Sequence, residues 1–137
     1  MPEFTPYPVE VITPEGIVFS GDAERVVVPG AAGELGILAN HAPLISLLQP
    51  GETRVTDADG TVRRYATDDG FVQVRKNQTL VLVGEAVDAE SIDASEANRR
   101  LEEARAALER ANDGDGDVYA ARREVGFAEA LVKTAAG

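Results

Sequence analysis

Between residues 7 and 87 the hydrophobic positions fall in short β-branched runs cut by turn residues: YPVEVIT, GIVFS, ERVVVPG, ELGIL, LISLL, ETRVTD, TVRRYAT, FVQVRK and TLVLVGEAV. Runs of this length and spacing predict an antiparallel β-sandwich or barrel. Turn chemistry supplies hairpins. DADG (57–60) closes ETRVTD onto TVRRYAT, and KNQ (76–78) closes FVQVRK onto TLVLVG, because Gly and Asn tolerate positive φ. Phe71, Val72 and Val74 alternate imperfectly with polar residues, whereas LVLV is apolar at every position. The last strand is therefore expected to lie between two buried faces.

Past Val87 the pattern changes from period two to the helical period, and the residues become mainly Ala, Glu and Arg. The boundary falls within 87–92, dividing the chain into a sandwich over 1–88 and a helical part over 89–137. Asp93 and Glu96 make a start resembling a capping box. Ala97, Leu101, Ala104, Leu108 and Ala111 then recur at helical spacing. Beyond a polar break, Ala121, Val125, Ala128 and Val132 repeat the rhythm, widened by Val118, Phe127 and Leu131. Two helices joined by so short a loop must run antiparallel, with Asp117 the expected N-cap of the second. The fold class is α+β. A stripe built mostly of Ala buries little area, so the hairpin should be held by only a few kcal/mol, as a movable element requires.

The break between the helices raises a question of its own. Asp113, Asp115, Asp117 and Glu124 fit ligand positions of a helix–loop–helix calcium site, but Val118 stands where the loop's tight turn demands Gly. The segment reads instead as a solvated hinge with no metal.

Composition narrows the rest. At 137 residues the chain suits one cored domain and a satellite, and 13 basic against 24 acidic residues give a net charge of −11. That charge repels phosphate backbones, so nucleic acid is not an expected partner. There is no cysteine, which excludes disulfides, thiolate metal sites and Cys-based catalysis. No apolar run is long enough to span a bilayer, and MPEFTPYPVE lacks the features of a signal peptide. The mature protein is expected to be soluble, without direct membrane insertion. His41 is the only histidine, and neither Glu34 nor Asp22 has a nucleophile motif beside it, so no catalytic residue is expected. His41 reads as a turn residue whose ring satisfies backbone groups. The arginines of NRRLEEARAALER read as a solvated helix face, held by pairs such as Glu102 with Arg105.

One segment is more specific than these patterns. PGAAGELGILANHAPLISLLQPG (29–51) resembles the GELGILPxHAPL signature of F-type ATP synthase epsilon subunits. The likeness continues through VEVITPEGIVFSGDAERVVVPG, DGFVQV, TLVLVGEA and GDVYAA in the order of that family. It implies an N-terminal β-sandwich of about ten strands followed by a helical hairpin, in a noncatalytic subunit of the central rotor stalk that binds the gamma subunit and touches the membrane c-ring. Glu34, Leu35, Gly36 and His41 are then the candidate c-ring contacts, with Gly33 and Gly36 allowing tight turns and Pro43 stiffening the exit. The resemblance also implies a regulatory hairpin, which permits catalysis when folded on the sandwich and blocks ATP hydrolysis when extended into the alpha/beta ring. The implied location is the cytoplasmic side of a bacterial plasma membrane.

Some members of that family bind ATP through an I/L-D-x-x-R-A motif. Here Ile92, Asp93 and Ala97 match, but Glu96 occupies the Arg position and sets a negative charge against a triphosphate. Arg99, Arg100, Arg122 and Arg123 are the cations left to compensate, so ATP is expected to bind weakly at most, and no cofactor is expected. The alternative is a free-standing β-sandwich binding module with a calcium-binding or oligomerising helical tail.

Overall fold

A computed structural model describes residues 4–137. Nine strands precede the helices: β1 (Tyr7–Thr13), β2 (Gly16–Gly30), β3 (Gly33–Ile37), β4 (Leu44–Leu48), β5 (Gly51–Asp57), β6 (Val62–Thr67), β7 (Gly70–Arg75), β8 (Gln78–Val83) and β9 (Ala86–Asp88). A single 3-10 turn (Ala89–Ser91) leads to α1 (Ala94–Asn112) and α2 (Val118–Ala136). The predicted runs map onto these strands with two changes. GIVFS and ERVVVPG fuse into the 15-residue β2, while TLVLVGEAV breaks at Gly84 into β8 and β9.

The long β2 builds the sandwich, because its first half pairs with β1 and its second half with β3 and β5. One layer runs β1-β8-β7-β4 and the other β3-β2-β5-β6-β9, with β4 touching β2 at Leu48 and Gly30. Pairing is antiparallel except between β1 and β8, which are parallel. Between the layers lies a core rich in valine, from Val9 and Val11 through Val26, Val28, Val55, Val72 and Val81. Alternation along each strand sends these side chains inward and their neighbours out.

Two hairpins take the turns expected of them. Lys76 and Asn77 both have positive φ, 50° and 59°, which is the twist a two-residue loop needs to join β7 to β8. At the other, Asp57 Oδ1 accepts from the amides of Asp59 and Thr61, and Gly60 takes φ 90°.

The helices begin where the sequence places them. Asp93 Oδ1 accepts from Glu96 N at 3.1 Å, and Asp117 Oδ1 accepts from Tyr119 N at 2.9 Å and Ala120 N at 3.2 Å. Ala97, Leu101, Ala104 and Ala111 are buried on α1, and Phe127, Ala128 and Leu131 on α2, together with Ala130 and Thr134. The hairpin rests on the sandwich through α2. Ala66 of β6 joins Ala97, Phe127, Ala130 and Leu131 in a small second core, and a side chain at Gly126 would meet Pro50 Cγ at 3.1 Å. One predicted ion pair is replaced: Arg105 reaches across to Glu129 of α2 at 3.7 Å rather than to Glu102 on its own helix.

Candidate functional site

The hairpin covers the outer face of β5 and β6. The outer face of the other layer is bare. Register places Leu47 of β4 opposite Phe71 of β7, Phe71 opposite Leu82 of β8, Leu82 beside Ile12 of β1, and Ile12 beside Ile17 of β2. The row is apolar across five strands. Beside it, Ile45, Gln73, Leu80 and Glu10 form the next row. Ile45 is 71% exposed, Leu47 70% and Ile17 62%, whereas Leu80 and Leu82 are half-buried by their neighbours alone.

This corrects one expectation. LVLV does not lie between two buried faces: Val81 and Val83 point into the core, and Leu80 and Leu82 point to an uncovered surface. An apolar run buried within the chain and one that leaves an apolar face uncovered have the same composition.

The candidate c-ring residues do not form one cluster. Glu34 lies near the turn joining β2 to β3, opposite Pro29, and its carboxylate is 3.3 Å from Arg54 Nη1. His41 lies in the loop after β3, which the backbone amide of Asn40 ties to Asn77 Oδ1 at 2.6 Å, toward the β7–β8 turn. The rest of β3, Leu35 to Ile37, and the loop residues 38–40 separate the two. Leu35 turns partly inward and Gly36 outward on this strand, which pairs only with β2. Gly33 has φ 134° and serves the turn as expected, but no positive φ occurs at Gly36, so that glycine is not needed for turning. Asn40, with φ 61°, takes the left-handed position instead. The ring of His41 satisfies a backbone group as predicted, Nδ1–H donating to the Ala42 carbonyl at 2.8 Å.

The residues of the nucleotide motif are likewise only partly gathered. Ile92, Asp93, Glu96 and Ala97 line a shallow groove of about 220 Å³ with Val87, Arg100 and Leu131. Arg99 is engaged by Glu96 and by Glu103, and its hydrogen bond holds the Glu96 carboxyl below its ordinary range. Arg123 turns away to the sandwich, binding Asp69 through Nε at 3.0 Å and Nη2 at 2.9 Å. Arg122 is exposed and enters no ion pair among the described residues. Arg100, which does line the groove, pairs with Glu124 at 2.8 Å and lies 5.1 Å from the Phe127 ring centroid.

The contacts that three arginines make across the seam escape sequence reasoning. Arg64 of β6 binds Glu52 at 2.6 Å and also donates to the Thr134 carbonyl at 2.9 Å, placing a cation at the negative end of α2. Asp68 and Asp69, between β6 and β7, receive Arg123, while Glu85 receives Arg100 at 3.8 Å. Burial raises the Asp68 and Glu85 carboxyls. Burial also acts to raise Glu52, but hydrogen bonds from Arg64 and Arg54 outweigh it and hold that carboxyl low. These pairs join residues distant in sequence, and no local signal marks them. Among the described residues no acidic or histidine group is arranged to hold a metal, and Asp117 is occupied as a helix cap.

Comparison with known proteins agrees with this architecture. Residues 7–89 match the family model described as ATP synthase, Delta/Epsilon chain, beta-sandwich domain. The ATP synthase epsilon chain of Campylobacter fetus is 42% identical over 108 residues, covering 79% of this chain and 84% of the relative. That of Persephonella marina is 45% identical over 103 residues, covering 75% and 76%. A chain of the Euglena gracilis mitochondrial ATP synthase superposes with TM-score 0.78 at 22% identity, covering 96% of this chain and 87% of that one. One from the Tetrahymena thermophila central stalk and c-ring structure gives 0.67 at 17%, covering 98% and 99%. These two likenesses concern the fold alone. With the family model over most of the sandwich and relatives above 40% identity through most of their length, the chain belongs to the F-type ATP synthase epsilon family.

Proposed function

We propose that this chain is a noncatalytic coupling subunit of the central stalk, which docks on the gamma subunit through its bare sheet face. The observation that carries the proposal is the apolar row from Leu47 to Ile17, which the hairpin, lying on the opposite face, leaves open. Surfaces of this kind on small proteins mark partner sites, and burying one supplies a nondirectional driving force for a permanent complex. The solved relatives come from assemblies whose names include the c-ring and, for one, the central stalk, which supports the same placement.

In this reading the open edge of β3, with Glu34, Leu35 and Gly36, and the separate loop of His41 offer two polar contacts to the c-ring. Residues 89–137 form the regulatory arm, which reaches the alpha/beta ring when it leaves the sandwich. No helix among the described residues is long and apolar enough to cross a membrane, and the subunit associates with the bacterial plasma membrane peripherally, from the cytoplasmic side. ATP binds weakly or not at all, because Glu96 and Arg99 satisfy each other and Arg123 is committed to Asp69. Calorimetry with ATP is expected to give no heat or only millimolar affinity; micromolar binding would refute this part.

Co-purification tests the main proposal. The full chain should form a stable one-to-one complex with its cognate gamma subunit. A chain that remained alone, or bound calcium or itself instead, would favour a free-standing module.

A further inference from the structure

Arg75 and Lys76 stand at one end of the bare face. Arg75 shares the outward side of β7 with Phe71 and Gln73, and lies opposite Gln78 on β8. Two grooves of about 330 and 660 Å³ share Gln73, Arg75 and Lys76 as lining, the larger extending to Pro43 and Ile45. Among the described residues neither cation enters an ion pair, although acidic residues outnumber basic by 24 to 13. The other sandwich arginines are occupied: Arg54 and Arg64 by Glu52, Arg63 by Asp57, and Arg25 over the Phe4 ring. Register sets Glu10 as a carboxylate on this face, on β1 beyond Leu80.

Folding does not account for Lys76. Its φ of 50° is the left-handed conformation, which costs an ordinary residue about 1 kcal/mol and suits Gly, Asn or Asp. The next residue, Asn77, has the favoured identity and is fixed by Asn40 N. A lysine at a strained turn, beside a second unpaired cation and on the same sheet face as the apolar row, points to a ligand outside the chain.

We infer that Arg75 and Lys76 receive carboxylates from an acidic segment of the gamma subunit that follows β7, its apolar residues covering Phe71 where β7 crosses the Leu47–Phe71–Leu82 row. This rests on the proposed docking of that subunit and adds its polarity: the acidic end of the segment lies toward the β7–β8 turn. With a net charge of −11 the whole protein repels an acidic partner, and the two cations supply positive charge where the segment lands. Their effect falls chiefly on the rate of association and on orientation, while the apolar row sets the lifetime of the complex.

The test is the association kinetics of the full chain with the gamma subunit at low and moderate salt. The double variant Arg75→Gln/Lys76→Gln is expected to associate about tenfold more slowly at low salt, with a flatter salt dependence and little change in dissociation. Lys76→Gly separates folding from binding, since it should raise the melting temperature while slowing association. Unchanged rates and salt dependence in the double variant would overturn the inference with the docking proposal intact. A wild-type chain that bound no gamma subunit would remove both. Binding of wild type, but not the double variant, to phosphatidylglycerol vesicles in place of gamma would assign the cations to lipid phosphate and overturn the protein occupant.

Discussion

Tyr7 shows how one residue can join the two ends of a strand's environment. It is 1% exposed, and its hydroxyl donates to the Ile37 carbonyl at 2.5 Å, tying β1 to β3 across the core. Tyr7→Phe leaves that buried carbonyl without its partner and should cost about 1–2 kcal/mol, read as a lower melting temperature. Burial pushes the hydroxyl from 10.0 up to about 12, so the folded state holds the proton more tightly than the unfolded chain. Its contribution is full below pH ~10 and is lost as pH rises through about 12. The alkaline fall in melting temperature should therefore be shallower in Tyr7→Phe, with the part due to Tyr65, also raised by burial, remaining. Little of this was legible: the β-branched run around Tyr7 gave the strand, but not the carbonyl thirty residues away in sequence. Asp117 was legible because an N-cap is a local device. Asp117→Ala should cost about 1 kcal/mol, measurable by thermal unfolding of the helical signal.

At the scale of elements, the hairpin is held by a small core, a close contact at Gly126 and ion pairs around the rim. Gly126→Leu would force the side chain into Pro50 and lever α2 away, so hydrogen exchange in the helices should rise while the sandwich strands stay protected. The rim also makes docking depend on pH. Asp68 faces Asp69, Arg123 and Glu124, and Glu85 faces Arg100, Asp68, Glu124 and Glu15. Because burial raises both carboxyls, their contribution is full below the usual carboxylate range and lost as pH rises through their raised values. Glu52 acts oppositely, contributing above its ordinary value of 4.5 and losing that contribution as pH falls. Protection of α2 should thus peak on the acidic side of neutrality, and Asp68→Asn should increase it at pH 7. An unchanged or weaker α2 in that variant would show that the charge of Asp68 does not oppose docking.

The elements themselves were largely readable, since strand runs, hairpin turns and helix caps are local patterns. What escaped were divisions set by tertiary pairing. GIVFS and ERVVVPG are separated by Gly21, Asp22 and Ala23, yet β2 stays extended because β1 pairs along its first half and β5 along its second. The outward leucines of β8 were misread because sequence alone cannot distinguish a covered face from a face waiting to be covered.

For the whole molecule, two opposite surfaces have different tasks. One sheet face carries the hairpin through a modest seam, and the other leaves a row of apolar side chains uncovered. As a regulatory prediction, an enzyme assembled with a chain lacking residues 89–137 should form normally and hydrolyse ATP faster than one with the full chain. Equal rates would count against an inhibitory arm. The candidate c-ring positions were legible as a motif, but the separation of Glu34 from His41 was not, because the rest of β3 and its following loop intervene. The central claim is that the bare face binds the gamma subunit, and the affinity of Leu47→Asp for gamma tests it most directly. Leu47 is 70% exposed, so the variant should keep the wild-type melting temperature while binding at least about 100-fold more weakly, as expected for a charge buried at an apolar interface. Wild-type affinity in a folded Leu47→Asp chain would contradict the account.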